Sequence, residues 1–243
     1  MRGVLELRAG TTDDVEEVVA VWRAAQGARG QRPAASRIAR VVDKLTAPDA
    51  LLVVGELEDD DGVAEVAGFA LGEPGRADDG TGDVEAELLH VAMLSVAPGA
   101  QRQGLGSALV EALADAAWPR GYRRLHVWAR TDNTPACGLY EACGLELSGR
   151  EQDLAGPAVQ YVAELEPPVR DVVVTGQGLR LGQLLKLAGL VDTGAQAKEL
   201  LAAGGVQVDG EVELRRRRQL VDDEVVTARD QSVRLVVDAP PPT

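Results

Sequence analysis

The 243-residue chain is predicted to be an α/β protein with a mixed central sheet, followed by a second, smaller α+β part. Three observations predict this fold class. Strand-like and helix-like segments alternate over 4–164. Two adjacent prolines, Pro167 and Pro168, then break both patterns. After them come two short amphipathic segments and several short strands.

The prolines also predict the domain limits. We expect a first domain at 1–166, a linker at 167–171, a second domain at 172–237 and a flexible tail at 238–243. Residues 1–166 hold 15 Lys and Arg against 28 Asp and Glu, a net charge of −13, whereas the remainder carries −1. The acidic first domain is therefore not expected to bind nucleic acid by itself, while the second domain is a candidate.

Local signals predict the elements of the first domain in order. A strand at Val4–Arg8 precedes a helix that Thr12 caps, with carboxylates in its first turn. The acidic turn DDDG joins a predicted hairpin, and Glu73–Asp83 is predicted as an exposed loop. The remaining predicted segments are a helix at Ala34–Leu45, the hairpin strands Ala50–Glu56 and Val63–Leu71, a strand at Leu88–Val96, a helix at Gly104–Trp118, a strand at Arg123–Ala129, a helix at Thr134–Cys143 and strands at Leu145–Gly149 and Gln160–Glu164.

The second domain is predicted to hold two short helices and a hairpin. Each helix has an apolar stripe, and Gly194 lies in the short link between them. Asp209-Gly210 is typical of a type I′ turn between strands at Val206–Val208 and Glu211–Leu214. Further strands are predicted at Val225–Val226 and Val233–Val237.

Composition excludes several classes of site. Cys137 and Cys143 are six residues apart in a helical segment, so they lie on different faces and predict neither a disulfide nor a metal pair. With His90 and His126 as the two histidines, no metal site is expected. No run of 18 apolar residues occurs and the N-terminal segment lacks a signal-peptide pattern, so a cytoplasmic protein without a membrane partner is predicted.

A glycine loop stands between a strand and a helix in LSVAPGAQRQGLGSALVEALADAA. Unpaired N–H groups at a helix start suit a phosphate, and Gly104 and Gly106 would let it approach the backbone. The alternative is a tight turn with helix-packing glycines. A dinucleotide fingerprint is excluded because Leu109 replaces its third glycine, and a P-loop lacks its Gly-Lys-Ser/Thr.

The surrounding residues resemble a known family. Val96, Pro98 and Gln101-x-x-Gly104-x-Gly106 resemble the acetyl-CoA motif of the GNAT superfamily of N-acetyltransferases. The superfamily's later helix motif is matched by Asn133, Ala136, Tyr140, Glu141 and Gly144. The likeness covers 4–164. It implies the GNAT acyltransferase fold, acetyl-CoA as cosubstrate without a metal, and transfer of acetyl to a primary amine by direct attack in a ternary complex.

The resemblance also implies site residues. Leu94, Ser95 and Val96 would pair with the pantetheine arm, and the Leu94 amide would stabilise the oxyanion. Asn133 would contact the arm, and Tyr140 would protonate the leaving thiolate, although it could instead be a core aromatic. The CoA pyrophosphate would be held by Gln101, Arg102, Gln103, Gly104, Leu105, Gly106 and Ser107.

The general base is left open. His90 lies on the predicted strand where several superfamily members carry a glutamate, and an imidazole titrates near neutrality. Glu87, Glu85 and a water chain are alternatives, and His90 could equally be packed on a neighbour. It shares a face with Leu94 only if no bulge intervenes.

The acceptor amine is not identified by the sequence. In the superfamily it lies between the first two helices and the late strands, here 24–36 and 150–161. Candidate lining residues are Trp22, Arg29, Arg32 and Trp128. The acidic composition of this domain suits a cationic amine.

Residues 172–237 resemble the αL RNA-binding domain of the ribosomal-protein S-four type. The match rests on Gln183-Leu-Leu-Lys186, Gly194, Ala197-Lys198, Val208-Asp-Gly210, Arg215–Arg218, Leu220 and Asp223. It implies that Lys186, Lys198, Arg215, Arg216, Arg217 and Arg218 contact RNA, with a salt-sensitive affinity. Thr193-Gly-Ala195 departs from the family's Ser-Arg pattern, and the alternative for the arginine run is a solvated strand end.

Three functional hypotheses remain. The RNA-binding part could bring an acetyltransferase to an amine on RNA or the ribosome. It could instead be accessory to an enzyme that acetylates a free small amine. Finally, the protein could be a non-catalytic RNA-binding protein that responds to acyl-CoA, which the intact Tyr140, Asn133 and glycine loop argue against.

Overall fold

The contacts within the chain divide it into two units, Met1–Glu166 and Pro167–Thr243. The structure is a computed structural model that describes residues 5–58, 63–77, 82–175 and 179–238. Each unit has its own sheet and its own apolar core, and each is therefore described by itself. Across the described residues, no helix combines the length and the apolar character needed to span a membrane.

The first unit is built on a seven-stranded sheet. Its strands are β1 (Leu5–Ala9), β2 (Leu51–Glu58), β3 (Ala64–Arg76), β4 (Val84–Val96), β5 (Arg124–Arg130), β6 (Glu146–Asp153) and β7 (Pro157–Glu164). Its helices are α1 (Val15–Ala28), α2 (Ala35–Leu45), α3 (Leu105–Ala117) and α4 (Thr134–Ala142). The sheet order is β1-β2-β3-β4-β5-β7-β6, with β4 and β5 parallel and the other neighbours antiparallel.

Two layers of helices bury this sheet. Val18 and Trp22 of α1 pack with Phe69 of β3 on one face, where α2 also lies. Leu109 of α3 and Tyr140 of α4 belong to the apolar cluster on the other face. The sequence prediction of a mixed α/β sheet is confirmed by this arrangement.

Some boundaries in the first unit differ from those predicted. Thr11, not Thr12, caps the first helical turn, because its hydroxyl accepts from the Asp13 amide. Residues 73–76 were expected in a loop but continue β3, because Arg76 pairs with Val84 at the start of β4. The acidic turn at 59–62 lies outside the described residues.

The second unit is a five-stranded sheet with two helices. The strands are β8 (Val169–Thr175), β9 (Val206–Val208), β10 (Glu211–Val212), β11 (Val225–Ala228) and β12 (Gln231–Asp238), in the order β10-β9-β11-β12-β8. The helices α5 (Leu181–Leu187) and α6 (Gly194–Ala202) pack on it through Leu184, Leu201 and Val226. The prediction of a small α+β unit is confirmed.

Strand β8 was not predicted. It begins at Val169, inside the expected linker at 167–171, and pairs in parallel with β12. Most of its residues are exposed or half-buried, so its sequence lacks a strong burial pattern. Asp209 and Gly210 have φ of 51° and 79°, as a type I′ turn requires. Asp238 ends β12, and the rest of the expected flexible tail lies outside the described residues.

Candidate active site and candidate nucleic-acid interface

The two central strands of the first unit separate partway along their length. Residues 88–90 of β4 pair with residues 124–126 of β5. Beyond His90, β4 continues to pair with β3 as far as Val96, and β5 continues to pair with β7 as far as Arg130. The strands therefore diverge and leave a gap in the middle of the sheet.

A cleft of about 1300 Å³ occupies this gap. Residues 91–96 of β4 and 127–130 of β5 form its two sides. The loop before α3 and the start of α4 line it from one face of the sheet, while α1 and α2 line it from the other. The cleft is therefore bounded by elements from both helical layers.

The backbone of β4 presents hydrogen-bonding groups to this cleft. The Ala97 amide donates to the Ala67 carbonyl, and the register places Leu94 opposite Ala70 and Val96 opposite Gly68. Hydrogen-bonded and non-hydrogen-bonded pairs alternate in an antiparallel ladder. The N–H and C=O groups of Leu94 and Val96 consequently point away from β3, toward the gap.

Gly104 and Gly106 have different structural roles in the loop before α3. Gly104 is the N-cap residue with φ of 87°, a left-handed conformation, and a Cβ atom there would meet nothing within 4 Å. A Cβ atom on Gly106 would lie 3.2 Å from Leu139 of α4. Gly104 thus opens the helix start, where the first N–H groups lack intrahelical partners, and Gly106 allows α3 to approach α4.

The other predicted phosphate-loop residues divide between the cleft and the scaffold. Gln101, Arg102 and Ser107 line the cleft. The Gln101 side-chain amide donates to the Val96 carbonyl at 3.2 Å, so this donor already holds the loop to β4. Gln103 and Leu105 do not line it: the Gln103 side-chain amide donates to the Gly99 carbonyl, and the Leu105 side chain is buried in the core.

Tyr140 and Asn133 of the α4 motif both line the cleft. Tyr140 is 6% exposed, and its hydroxyl oxygen is accessible to solvent and has no partner in the described part of the chain. That hydroxyl therefore opens onto the cleft. Burial raises the pKa of Tyr140 to about 12, so the phenol keeps its proton at neutral pH. The Asn133 side-chain oxygen accepts from Arg29 at 3.1 Å.

The neighbouring residue, Glu141, serves a different purpose. Its carboxylate accepts the Tyr161 hydroxyl at 2.9 Å, which joins α4 to β7. The rings of Tyr140 and Tyr161 lie 5.8 Å apart. This contact fixes the helix that carries Tyr140.

His90 does not line the cleft, and neither do Glu87 and Glu85. The register of β3 and β4 shifts at Ala92, so Ala92 and Met93 pack on the α1 and α2 face while Leu94 packs on the α3 face. This bulge places His90 and Leu94 on opposite faces. The role of His90 as general base stays a prediction: it lies on the α1 and α2 face without lining the cleft, while Glu85 is ion-paired with Arg124 at 2.7 Å.

His90 instead packs against a second histidine, with the two rings tilted by 55°. The rings of His90 and His126 lie 4.7 Å apart. Gln160 donates to His126 Nδ1 at 2.7 Å, and Ser148 donates to the Gln160 oxygen. His90 Nδ1 and His126 Nε2 are buried without partners in the described part of the chain. Sequence analysis missed this cluster, whose members come from four separate strands.

Burial lowers the pKa of both His90 and His126 to about 4. The unfolded chain binds protons on these imidazoles below pH 6.5, whereas the folded protein does not until about pH 4. Stability should therefore be complete above pH 6.5 and fall as the pH drops toward 4, by at most about 1.4 kcal/mol per pH unit for each imidazole. Urea unfolding across this range measures the slope. A His90→Gln variant with an unreduced slope would contradict the assignment.

The wall of the cleft formed by α1 and α2 is cationic. The cleft is lined by Arg29, Arg37, Arg40, Lys44, Arg102 and Arg130, against the single lining carboxylate of Asp132 among the described residues. Trp22, Arg29 and Trp128 line it as predicted, while Arg32 lies in a neighbouring hollow with Arg23. The acidic composition of the unit therefore does not extend to the cleft. The i, i+3, i+7 spacing of Arg37, Arg40 and Lys44 was a sequence signal for this wall.

The arginine run of the second unit divides into paired and unpaired residues. Arg215 and Arg218 both bind the buried Glu213 carboxylate, and Arg218 also binds Glu224 at 2.7 Å. These arginines lower the pKa of Glu213 to about 2. Arg216 and Arg217 are exposed and have no carboxylate partner among the described residues.

Gly194 and Gly182 make room for Arg216. A Cβ atom on Gly194 would lie 2.7 Å from an Arg216 guanidinium nitrogen, and one on Gly182 would lie 2.7 Å from Arg216 Cγ. Thr193 caps α6 through the Gln196 amide. The guanidinium of Arg216 therefore lies beside the first turn of α6. The family's Ser-Arg pattern would place an arginine at the start of this helix, where this chain has Thr193-Gly-Ala195. Lys186 on α5 and Lys198 on α6 are exposed.

Comparison with known proteins assigns each unit. The acetyltransferase (GNAT) family matches residues 18–145, and the S4 domain matches residues 172–236. YbcJ of Escherichia coli, a candidate RNA-binding protein, is 45% identical over 58 residues, which are 24% of this chain and 83% of that protein. The mycothiol acetyltransferase of Geodermatophilus obscurus is 34% identical over 146 residues, 58% of this chain but only 42% of that protein's length.

Solved structures agree with the fold of the first unit. The ribosomal-protein-S18-alanine N-acetyltransferase of Escherichia coli matches with a TM-score of 0.51 and 20% identity, covering 67% of this chain and 94% of that one. A candidate acetyltransferase from Salmonella typhimurium, solved with its cofactor acetyl-CoA, matches with a TM-score of 0.51 and 16% identity, covering 67% and 95%. The family match at 18–145, more than half of the chain, shows that the chain belongs to the GNAT family of acetyltransferases, and an S4 domain follows at 172–236.

Proposed function

We propose that this acetyltransferase moves acetyl from acetyl-CoA to a primary amine by direct attack in a ternary complex. The observation that carries the proposal is the divergence of β4 and β5, with the backbone groups of Leu94 and Val96 directed into the gap. An extended pantetheine arm can pair with this edge as an added strand would. The Leu94 amide would then stabilise the oxyanion of the tetrahedral intermediate.

The residues around the gap suit acetyl-CoA. The unpaired N–H groups at the start of α3, opened by Gly104, would hold the pyrophosphate, with Arg102 and Ser107 beside them. Asn133 would contact the pantetheine arm while Arg29 holds its side chain. Gln101 and Gln103 would act by keeping the loop in place. One relative of the same fold was solved with acetyl-CoA, which supports this assignment.

Two proton transfers complete the reaction. Tyr140 would donate a hydrogen bond and then its proton to the departing CoA thiolate. The acceptor must lose a proton before its amine attacks the thioester. With His90, Glu87 and Glu85 outside the cleft lining, we assign this step to water in the cleft.

The S4 domain, at about 172–237, would bind RNA through its exposed cations. Together with the transferase unit, this favours an acceptor on RNA or on the ribosome over a free small amine. The mycothiol acetyltransferase relative is the observation that favours the second candidate, a small-molecule acceptor, but the chain spans 42% of that protein. Because both acetyl-CoA and RNA are intracellular, we propose a cytoplasmic location.

Transfer of labelled acetyl tests this proposal. The full-length protein would be incubated with acetyl-labelled CoA and fractionated lysate of cells that lack it. Label in RNA, which RNase releases, or in ribosomal protein, which RNase leaves in place, is the expected result. Label in small metabolites would make the S4 domain an accessory. Bound acetyl-CoA without label in any fraction would contradict the enzymatic proposal.

A further inference from the structure

The cationic wall of the cleft bears on the acceptor. Arg37, Arg40 and Lys44 lie on one stripe of α2, about 11 Å from first to last along the helix axis. All three line the cleft. This stripe stands in a unit whose composition is strongly acidic, at −13 over residues 1–166. The wall is therefore opposite in charge to the unit as a whole.

Two of these cations lack a neutralising partner. Lys44 is ion-paired with Glu73 at 2.5 Å. Arg37 and Arg40, in contrast, have no carboxylate partner among the residues that the structure describes. The guanidinium carbon of Arg37 lies 5.4 Å from the ring centre of Trp22, which is 4% exposed. Stacking on a fixed ring reduces the freedom of this guanidinium without occupying its N–H donors.

These arginines lie on the side of the sheet away from the phosphate loop. Helix α2 packs in the cluster that contains Trp22 and Phe69. Helix α3, whose start would hold the CoA pyrophosphate, packs in the cluster on the other face. Arg37 and Arg40 therefore lie on the opposite face of the sheet from the proposed pyrophosphate site, and a second substrate would approach the acetyl group from that face.

We propose that the acceptor amine belongs to a molecule with an oxyanion group, a phosphate or a carboxylate, that binds Arg37 and Arg40. The inference rests on the proposed acetyl transfer and specifies its substrate class. The planar guanidinium matches both oxyanions through paired hydrogen bonds. Binding this group would orient the molecule so that its amine faces the gap.

Three small amines with the same two-carbon spacing test the proposal. Phosphoethanolamine, β-alanine and ethanolamine carry a phosphate, a carboxylate and a hydroxyl near the amine. Their binding to the full-length protein saturated with CoA would be measured by calorimetry, which does not depend on turnover. We expect at least one anionic amine to bind about tenfold or more tightly than ethanolamine. Tighter binding of phosphoethanolamine than of β-alanine would identify phosphate as the oxyanion group of the acceptor. Tighter binding of β-alanine would identify carboxylate.

Variants of Arg37 and Arg40 test whether the cationic wall causes the preference for anionic amines. Arg37→Gln and Arg40→Gln should each remove most of the preference and leave CoA binding unchanged. Arg76→Gln, an exposed residue outside the cleft lining, should leave both unchanged and controls for net charge.

Four results would overturn the inference: no binding of either anionic amine, equal binding of all three amines, a preference that survives in Arg37→Gln and Arg40→Gln, or an equal loss of CoA affinity in these variants. An equal loss of CoA affinity would mean that Arg37 and Arg40 bind CoA itself. Failure of the acetyl-transfer proposal is distinct, because it would appear as absence of label in the lysate experiment while this binding preference persisted.

Discussion

Replacing Tyr140 with phenylalanine is expected to lower kcat for acetyl transfer about 10- to 100-fold while leaving acetyl-CoA affinity unchanged. The substitution removes one oxygen that lines the cleft and keeps the ring that packs in the core. Because the hydroxyl has no partner among the described residues, the folded state loses no internal hydrogen bond. Its removal should therefore affect the reaction and leave the fold intact.

The size of the effect follows from the chemistry of the leaving group. A thiol has an ordinary pKa of about 8.5, whereas burial raises the pKa of Tyr140 to about 12. Complete proton transfer from this phenol to a thiolate is therefore uphill, and most of the stabilisation comes from the hydrogen bond to the developing sulfur charge. A hydrogen bond to a charged group contributes about 1.5–3 kcal/mol, roughly 10- to 100-fold in rate.

A second tyrosine provides the control. Tyr122 is half-buried and lies outside the cleft lining, so Tyr122→Phe should keep full turnover. Steady-state kinetics would be measured for both variants, with acetyl-CoA affinity from direct binding and Tm from thermal unfolding. Unchanged kcat in Tyr140→Phe would remove this residue from the mechanism. A matching fall in Tm would assign it to the core instead.

The positions that the sequence predicted well are those set by local rules. Gly104 was singled out for its place before a helix, and its left-handed φ of 87° explains the glycine. Asn133 and Tyr140 were located by fixed spacing, and both line the cleft. The mixed sheet followed from alternating patterns that need no knowledge of distant residues.

The positions that the sequence predicted poorly depend on distant partners. His90 was placed on the right strand, but whether a bulge separates it from Leu94 was left open, and the bulge at Ala92 puts the two side chains on opposite faces. A one-residue shift of this kind leaves no local signal. The role of Gly106, the second glycine of the loop, also depends on a distant residue, because its neighbour Leu139 belongs to another helix. The sequence alone therefore could not show whether Gly106 serves helix packing or phosphate binding.

Charge was the least predictable property. The acidic composition of the first unit suggested a cationic acceptor, yet the cleft is lined by six cations and one carboxylate among the described residues. Net charge describes the whole surface, whereas recognition depends on the few groups that the fold brings to one cleft. The run Arg215–Arg218 shows the same limit, because only the fold separates its paired from its unpaired members.

Replacing both Arg216 and Arg217 with glutamine is expected to weaken RNA binding about tenfold or more and to reduce its dependence on salt. Each phosphate contact that a cation makes releases counterions and adds about 0.7–0.9 to the slope of log affinity against log salt. The slope should therefore fall by roughly 1.4–1.8 if each arginine contacts one phosphate. A labelled RNA hairpin, titrated with full-length protein at several salt concentrations, measures both quantities.

The neighbouring arginines predict a different outcome. Arg218 is bound to Glu213 and Glu224, and its replacement by glutamine would leave the buried Glu213 with fewer partners. Arg218→Gln should thus lower the stability of the S4 domain more than it changes the salt slope. Arg229→Gln removes one positive charge, as Arg218→Gln does, from the exposed turn between β11 and β12. It should leave both the stability of the S4 domain and the salt slope unchanged.

These variants separate an RNA-binding face from a solvated charge run. If the slope is the same for the double variant and the native protein, the exposed arginines do not contact phosphate and the charge run is ordinary surface. If Arg229→Gln, which removes one charge instead of two, lowers the slope by about half as much, binding depends on total charge rather than on this face. A loss confined to Arg216 and Arg217 would mean that the ion pairs at Glu213 hold the loop in position while the two unpaired guanidinium groups, one of them seated beside α6, bind the RNA.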